Sequence, residues 1–378
     1  MSFTPTTIRT DNVGSLLRPP ELLAARDDFT LGRIAAAELK AVEDRAINDV
    51  IRLQQDIGLA VVTDGEFRRE NWWIDFVAKL QGVAIEDGKG AAFLRDMAKP
   101  DPSAKPHDYV PKTVRTTGHV HSDAPIVLHD YEFVAARAGT ATAKITIPSP
   151  TRLHFHGGRN VVSQAAYPDI EKFFNDVATV YQREIAALEA AGCRYIQIDD
   201  PLLAYFLSPR MREGVQAEGD DPDTRLARYI RLINQCIAHR APTTRIGIHI
   251  CRGNARSLAL SEGPYDGLAE ACFNTLAVDR FLLEYDDARS GGFEPLALIP
   301  RDKEVVLGLV TTKRPDLEDR DMLKRRIDEA RRYVRDDRLA ISPQCGFASV
   351  VEGNAVTMAD QEAKLRLVVD VAREVWPN

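Results

Sequence analysis

The sequence predicts a (β/α)8 barrel of the TIM type, carrying an inserted loop and β-hairpin region at about residues 82–139. Three observations predict it. Short β-branched runs alternate with longer amphipathic segments, the pattern of a parallel sheet covered by helices. Eight such runs can be read, and eight strands in alternation favour a closed barrel over an open sheet. Polar residues gather just after the runs, at the rim where barrels of this kind carry their active sites.

The strands are read at Thr7–Asn12, Leu59–Thr63, Ala143–Ile147, Tyr195–Ile198, Arg245–Ile250, Phe281–Tyr285, Glu304–Leu309 and Leu339–Ser342. Helices are expected over Ala37–Asp56, Asp169–Ala191, Asp223–His239, Arg320–Arg335 and Ala359–Val375. In the first of these, Leu39, Val42, Ala46, Ile47, Val50 and Ile51 recur at three- and four-residue spacing, which marks one buried face. The stretch from Gly82 to Gly139 breaks the alternation. It opens as a Gly/Asp/Lys-rich loop and then alternates as KTVRTTGHV, the signature of a hairpin set near the barrel mouth. The whole chain, 1–378, reads as one catalytic domain with this insertion.

Composition narrows the function. The formal charge of −7, from 49 basic and 56 acidic side chains spread along the chain, offers no basic block for nucleic acid. No apolar run is long enough to span a membrane. The start, MSFTPTTIRTDNVGS, lacks the basic and apolar halves of a signal peptide. Five cysteines are an odd, sparse set for a disulfide scaffold, so a reducing cytoplasm is expected.

Four possible metal ligands end apolar runs: His249 and Cys251 in RIGIHICRGN, Glu284 in RFLLEYDD, and Cys345 in RLAISPQCGF. His249 and Cys251 are two apart, so a strand would point both the same way. Nitrogen, oxygen and thiolate donors in this mixture suit Zn2+, which can in turn hold a substrate thiol as a nucleophilic thiolate. Asp286 and Asp287 stand close enough to Glu284 to compete for the ion. Cys193, Cys236 and Cys272 lie on helical stretches without neighbouring ligands and read as packing residues.

HICRGN, the strand-end Glu284 and SPQCGF resemble the zinc-binding motifs of cobalamin-independent methionine synthase. VGSLLRP, GLAVVTDGEFRR and YIQIDDP extend the likeness over nearly the whole chain. It is a likeness to that enzyme's catalytic C-terminal barrel, with no counterpart of the N-terminal barrel, and above all to the short single-barrel branch of the family. The resemblance implies zinc held by His249, Cys251, Glu284 and Cys345, and a homocysteine thiol that attacks a methyl group to give methionine. It also implies that Ser15, Glu66 and Asp199 recognise the amino-acid end of homocysteine. The bland alternatives are an exposed turn carboxylate for Glu66 and a helix cap for Asp199. Trp72 and Trp73 could wall the pocket, and Arg68 and Arg69 could meet an anion or simply pair with rim acids.

The pattern departs from the family after the seventh strand. The folate-dependent synthases carry a histidine there that protonates the folate; here the stretch is GLVTTKRPDLED, with Thr311, Thr312 and Lys313, and no histidine follows His249. This argues against methyltetrahydrofolate and leaves the alkyl donor unnamed. A methyl group delivered by a corrinoid protein would leave no cofactor motif in this chain. Lys313 could replace the histidine only with a lowered pKa. An alternative reading is an epoxyalkane:coenzyme M transferase-like addition of a zinc-bound thiolate, which needs no such acid but does need a cationic pocket for a sulfonate. A metal-free barrel resembling uroporphyrinogen decarboxylase is the third.

Overall fold

The computed structural model describes residues 8–87 and 112–377. Its strands are β1 (Val61–Val62), β2 (Gln81–Asp87), β3 (Lys112–His121), β4 (Thr142–Ala143), β5 (Ile145–Pro148), β6 (Tyr195–Asp199), β7 (Arg245–Ile250), β8 (Arg280–Glu284), β9 (Glu304–Val310) and β10 (Leu339–Pro343). β5 to β10 pair in chain order as one parallel sheet. β1 pairs in parallel with β4, which runs straight into β5.

The ring closes through the N-terminal segment. The first strand, expected over Thr7–Asn12, shrinks to a single parallel bridge of Thr10 to Ile341 in β10; Thr7 lies outside the described residues. On its other side, the Ala60 N–H donates to Thr10 Oγ1 at 3.1 Å and Asn12 Nδ2 donates to the Val61 carbonyl at 3.2 Å. Side chains here do the work of a ladder, which is why the second strand also shortens from Leu59–Thr63 to two residues. The six expected strands that follow, the third of the eight split into β4 and β5, stand within a few residues of their expected places.

Burial explains the sequence pattern. β5, β6, β8, β9 and β10 are buried throughout, as strands covered on both faces must be. The covering helices include Ala36–Ile57, Ile170–Ala190, Pro222–Ile237, Arg320–Ala330 and Met358–Val375. The first buries Ile47, Val50 and Ile51, as its spacing predicts. Asp169, Asp221, Asp319 and Thr357 cap the other four by accepting first-turn N–H bonds. Arg320–Arg335 is shorter than expected, ending as a helix at Ala330.

The expected hairpin forms from β2 and β3, antiparallel, while residues 88–111 of the insertion lie outside the described residues. It docks beside the barrel: the Val120 N–H donates to the Tyr167 hydroxyl at 2.6 Å, and Arg152 donates to the Lys112 carbonyl. The insertion also contains a helix, Leu128–Ala135, beyond the expected loop and hairpin. A core carboxylate, Glu184, accepts the Ile126 and Val127 N–H groups at 2.7 and 2.8 Å and caps it. A cap supplied from distant sequence leaves no local signal.

Candidate metal and substrate site

His249, at the end of β7, Cys251, just beyond it, and Cys345, just beyond β10, meet at the rim. Their ligand atoms all lie within 4.8 Å of one another, and all three residues are buried. The two sulfurs are 3.9 Å apart. Two sulfurs held ~2.3 Å from one tetrahedral ion would stand about 3.8 Å apart, so the spacing fits zinc. Among the described residues neither nitrogen of the His249 ring meets a hydrogen-bond partner at good geometry, the Cys345 thiol beside it aside, an arrangement that costs free energy in a buried imidazole unless a ligand fills it. The Cys251 thiol beside it, with His249 and Lys313, holds the Cys345 thiol well below its ordinary value; the same contact pushes Cys251 up. A register shift between β9 and β10 after Ser342 sets the chain's exit toward Gln344 and Cys345.

Glu284 stands apart from the three. One oxygen accepts the Arg252 N–H at 2.8 Å; the other lies 3.5 Å from Lys313 Nζ and 3.4 Å from Arg289. Burial opposes its ionisation, but Lys313 and Arg252 outweigh that and hold the carboxyl below its ordinary value. Neither neighbouring aspartate joins the cluster. Asp287 accepts from the Arg289 N–H and guanidinium, and Asp286 lies 3.9 Å from Arg289. Burial lowers the Lys313 ammonium, yet Glu284, Asp286 and Cys345 raise it further, so its pKa stands above its ordinary value and not below.

Glu66 and Asp199 both turn inward. Glu66 is buried, not exposed, and sits in the left-handed region at φ 59°. Such backbone costs of order 1–3 kcal/mol and persists where surroundings enforce it. Here its Oε1 accepts from Thr146 Oγ1 at 2.8 Å and lies 3.7 Å from Arg69, which also donates to both Thr146 oxygens. Gly14 makes room: a β-carbon there would come 2.8 Å from Glu66 Oε1 and 2.7 Å from Thr146 Cγ2. Burial pushes Glu66 up, against Arg69 and Thr146.

Asp199 is not the helix cap. That role falls to Asp200, which accepts the Leu203 N–H at 3.0 Å and hydrogen bonds from Ser149 and Thr151. Asp199, in register with His249, accepts instead from Gln197 Nε2 at 2.7 Å. Burial, then the Glu66 charge, raise it to about 7. The Glu66 charge thus disfavours that of Asp199, so both carboxyls stand above their ordinary values. Ser15 is buried as well, its carbonyl accepting the Phe347 N–H at 2.9 Å.

The remaining candidates take structural places. Arg68 is spent on Glu43, Asp44 and Asp130. Trp73 is buried under the Arg152 guanidinium, while Trp72 is half-buried. Apart from these, the buried His154 ring lies among aromatic side chains with its Nδ1 2.9 Å from the Tyr229 hydroxyl. Cys193, Cys236 and Cys272 are free and buried. Sequence reading missed Thr146, Gln197 and Lys144. The signal was present: each is a polar residue at an alternate, inward position of an otherwise apolar strand.

Residues 6–99 and 110–374 match the family described as cobalamin-independent synthase, catalytic domain. An uncharacterized Bacillus subtilis protein, YxjH, is 42% identical over 97% of this chain and 94% of its own. A methionine synthase of Pyrococcus abyssi is 24% identical over 89% of this chain and 86% of its own. A crystal structure from Listeria monocytogenes, described as a putative vitamin-B12 independent methionine synthase, superposes with a TM-score of 0.75 at 35% identity, covering 99% of each chain.

Proposed function

Because this chain belongs to the cobalamin-independent synthase catalytic-domain family, we propose that it is a zinc-dependent methyltransferase that alkylates the thiol of homocysteine to give methionine. The observation that carries this reading is the pair of buried carboxylates, Glu66 and Asp199, set in a site that also contains His249, with the His249–Cys251–Cys345 cluster at the same rim. A thiol bearing an ammonium group satisfies both halves.

His249, Cys251 and Cys345 would hold the zinc, with Glu284 as the ligand most readily exchanged, since Lys313 and Arg289 can take its charge. Bound there, zinc supplies the lowered thiol pKa that makes a nucleophile at neutral pH. Ser15, Glu66 and Asp199 bind and orient the amino-acid end, and the buried walls exclude water from the thiolate. For the donor we propose a class only. It is an activated methyl group, on a small molecule or a corrinoid protein, whose leaving group departs without a histidine acid. β9 runs on into Thr311, Thr312 and Lys313.

The coenzyme M alternative finds less support. A sulfonate needs a free cation, whereas Arg68, Arg69, Arg252 and Lys313 all face carboxylates or carbonyls. We place the protein in the cytoplasm, as a single barrel domain over 1–378; among the described residues no helix is long and apolar enough to cross a membrane.

The test is metal content of the purified protein beside Cys345→Ser, followed by homocysteine titration of a cobalt-substituted sample. One zinc per chain, lost in the variant, with a spectral shift on adding homocysteine, is expected. A metal-free wild type under reducing, chelator-free handling would overturn the reading.

A further inference from the structure

Lys144 has no part in the chemistry above, yet its side chain is fully buried inside the barrel, where a charge is costly unless every proton finds a partner. It finds three. The ammonium donates to Asp11 Oδ1 at 2.8 Å, to Gln197 Oε1 at 2.8 Å, and to the Asn12 carbonyl. Asp11 is itself fixed by the Tyr195 hydroxyl at 2.7 Å and by Arg280 at 3.4 Å.

An ammonium can only donate, so the Gln197 amide must turn its oxygen toward Lys144. Its nitrogen then faces the opposite way. Nε2 donates to the Val13 carbonyl at 2.5 Å and to Asp199 Oδ1 at 2.7 Å. A flipped amide would set NH2 against the ammonium and a carbonyl against the carboxylate, two repulsions in place of two hydrogen bonds. Lys144 on one side, with the Val13 carbonyl and Asp199 on the other, thus holds one of two amide orientations that are sterically alike.

We propose that Lys144 is a positioning residue for substrate recognition: by fixing the Gln197 amide, it ties one Asp199 oxygen inward and leaves the other to receive the ammonium group of an amino-acid thiol. This rests on the reading that Asp199 meets that ammonium. Lys144 touches no substrate; it sets the preference for α-amino thiols over plain thiols at a distance, through one amide.

The test compares dissociation constants of the zinc-loaded protein for homocysteine and for 4-mercaptobutyrate, the same thiol acid without the amine. In Lys144→Met, homocysteine binding should weaken about tenfold or more while 4-mercaptobutyrate stays within about twofold, the size of one lost charge-assisted contact. Gln197→Leu keeps the Lys144–Asp11 pair, removes the donor to Asp199, and should show the same selective loss. If Lys144→Met does not fold, Gln197→Leu decides. A folded variant that retains the wild-type preference, or weakens both thiols alike, overturns the proposal. A wild type that does not prefer homocysteine overturns the ammonium reading itself, which is a separate result.

Discussion

Gly346 approaches Ser15 so closely that a β-carbon at position 346 would stand 1.8 Å from the Ser15 Oγ. The Phe347 N–H bonds the Ser15 carbonyl at 2.9 Å, so the loop after β10 and the first rim loop pack as one unit. Cys345 and Ser15, from opposite ends of the chain, therefore hold a set distance. Gly346→Ala should destabilise the fold by about 1–3 kcal/mol, the usual cost of overpacking, and weaken both zinc retention and homocysteine binding. Adding Ser15→Ala should return part of the stability and none of the affinity. Urea unfolding and calorimetric titration of the two variants beside the wild type check this.

Glu66→Gln should stabilise the ligand-free protein while weakening homocysteine. Burial already disfavours the Glu66 charge, and that charge in turn raises Asp199. A neutral amide removes both penalties and with them the attraction for an ammonium group. A higher melting temperature with a dissociation constant raised about tenfold or more is expected. A lower melting temperature would count against it.

Acid should destabilise the fold partly through His154. Burial, with Arg225 and Arg228 beside it, depresses this imidazole to about 3. An unfolded histidine titrates near 6.5. Between those values the unfolded chain binds a proton that the folded chain does not, so stability falls as pH drops from about 6.5 toward 3, approaching 1.4 kcal/mol per pH unit. In His154→Phe this share of the slope should vanish. Urea unfolding of both proteins at pH 5, 6 and 7 measures the difference, and parallel slopes would refute it.

The helix Leu128–Ala135 should depend on Glu184. Both carboxylate oxygens accept N–H bonds at its start, and Val127 offers no cap of its own. Glu184→Gln leaves one buried N–H facing an amide donor, at a cost of about 1–3 kcal/mol. Hydrogen exchange at Ile126 and Val127 should quicken before that of β6 if the loss is local.

The ease of reading the site from sequence followed the range of the interactions. His249 and Cys251 were legible because two-residue spacing on a strand is a local rule, and Cys345 because it ends another apolar run. Glu66 and Asp199 entered through family likeness; their burial, and the transfer of the capping role to Asp200, required coordinates. Lys313 was legible as a substitution for a histidine but not as an ammonium held up by Glu284 and Asp286. The first strand is shorter than its residues suggest because they have strand character while their partners are side chains.

The sequence by itself determined the alternation of strand and helix, the count that closes a barrel, and which residues end at its rim. Those follow from residue type and a two- or 3.6-residue period, which act over a few positions. Only the tertiary structure decided that Cys251 and Cys345 meet across the barrel at 3.9 Å, that Glu284 stands beside Lys313, and that Lys144 orients Gln197 toward Asp199. Those are contacts through space between charged and polar groups in a dry interior, where each group's state depends on partners that no local pattern names.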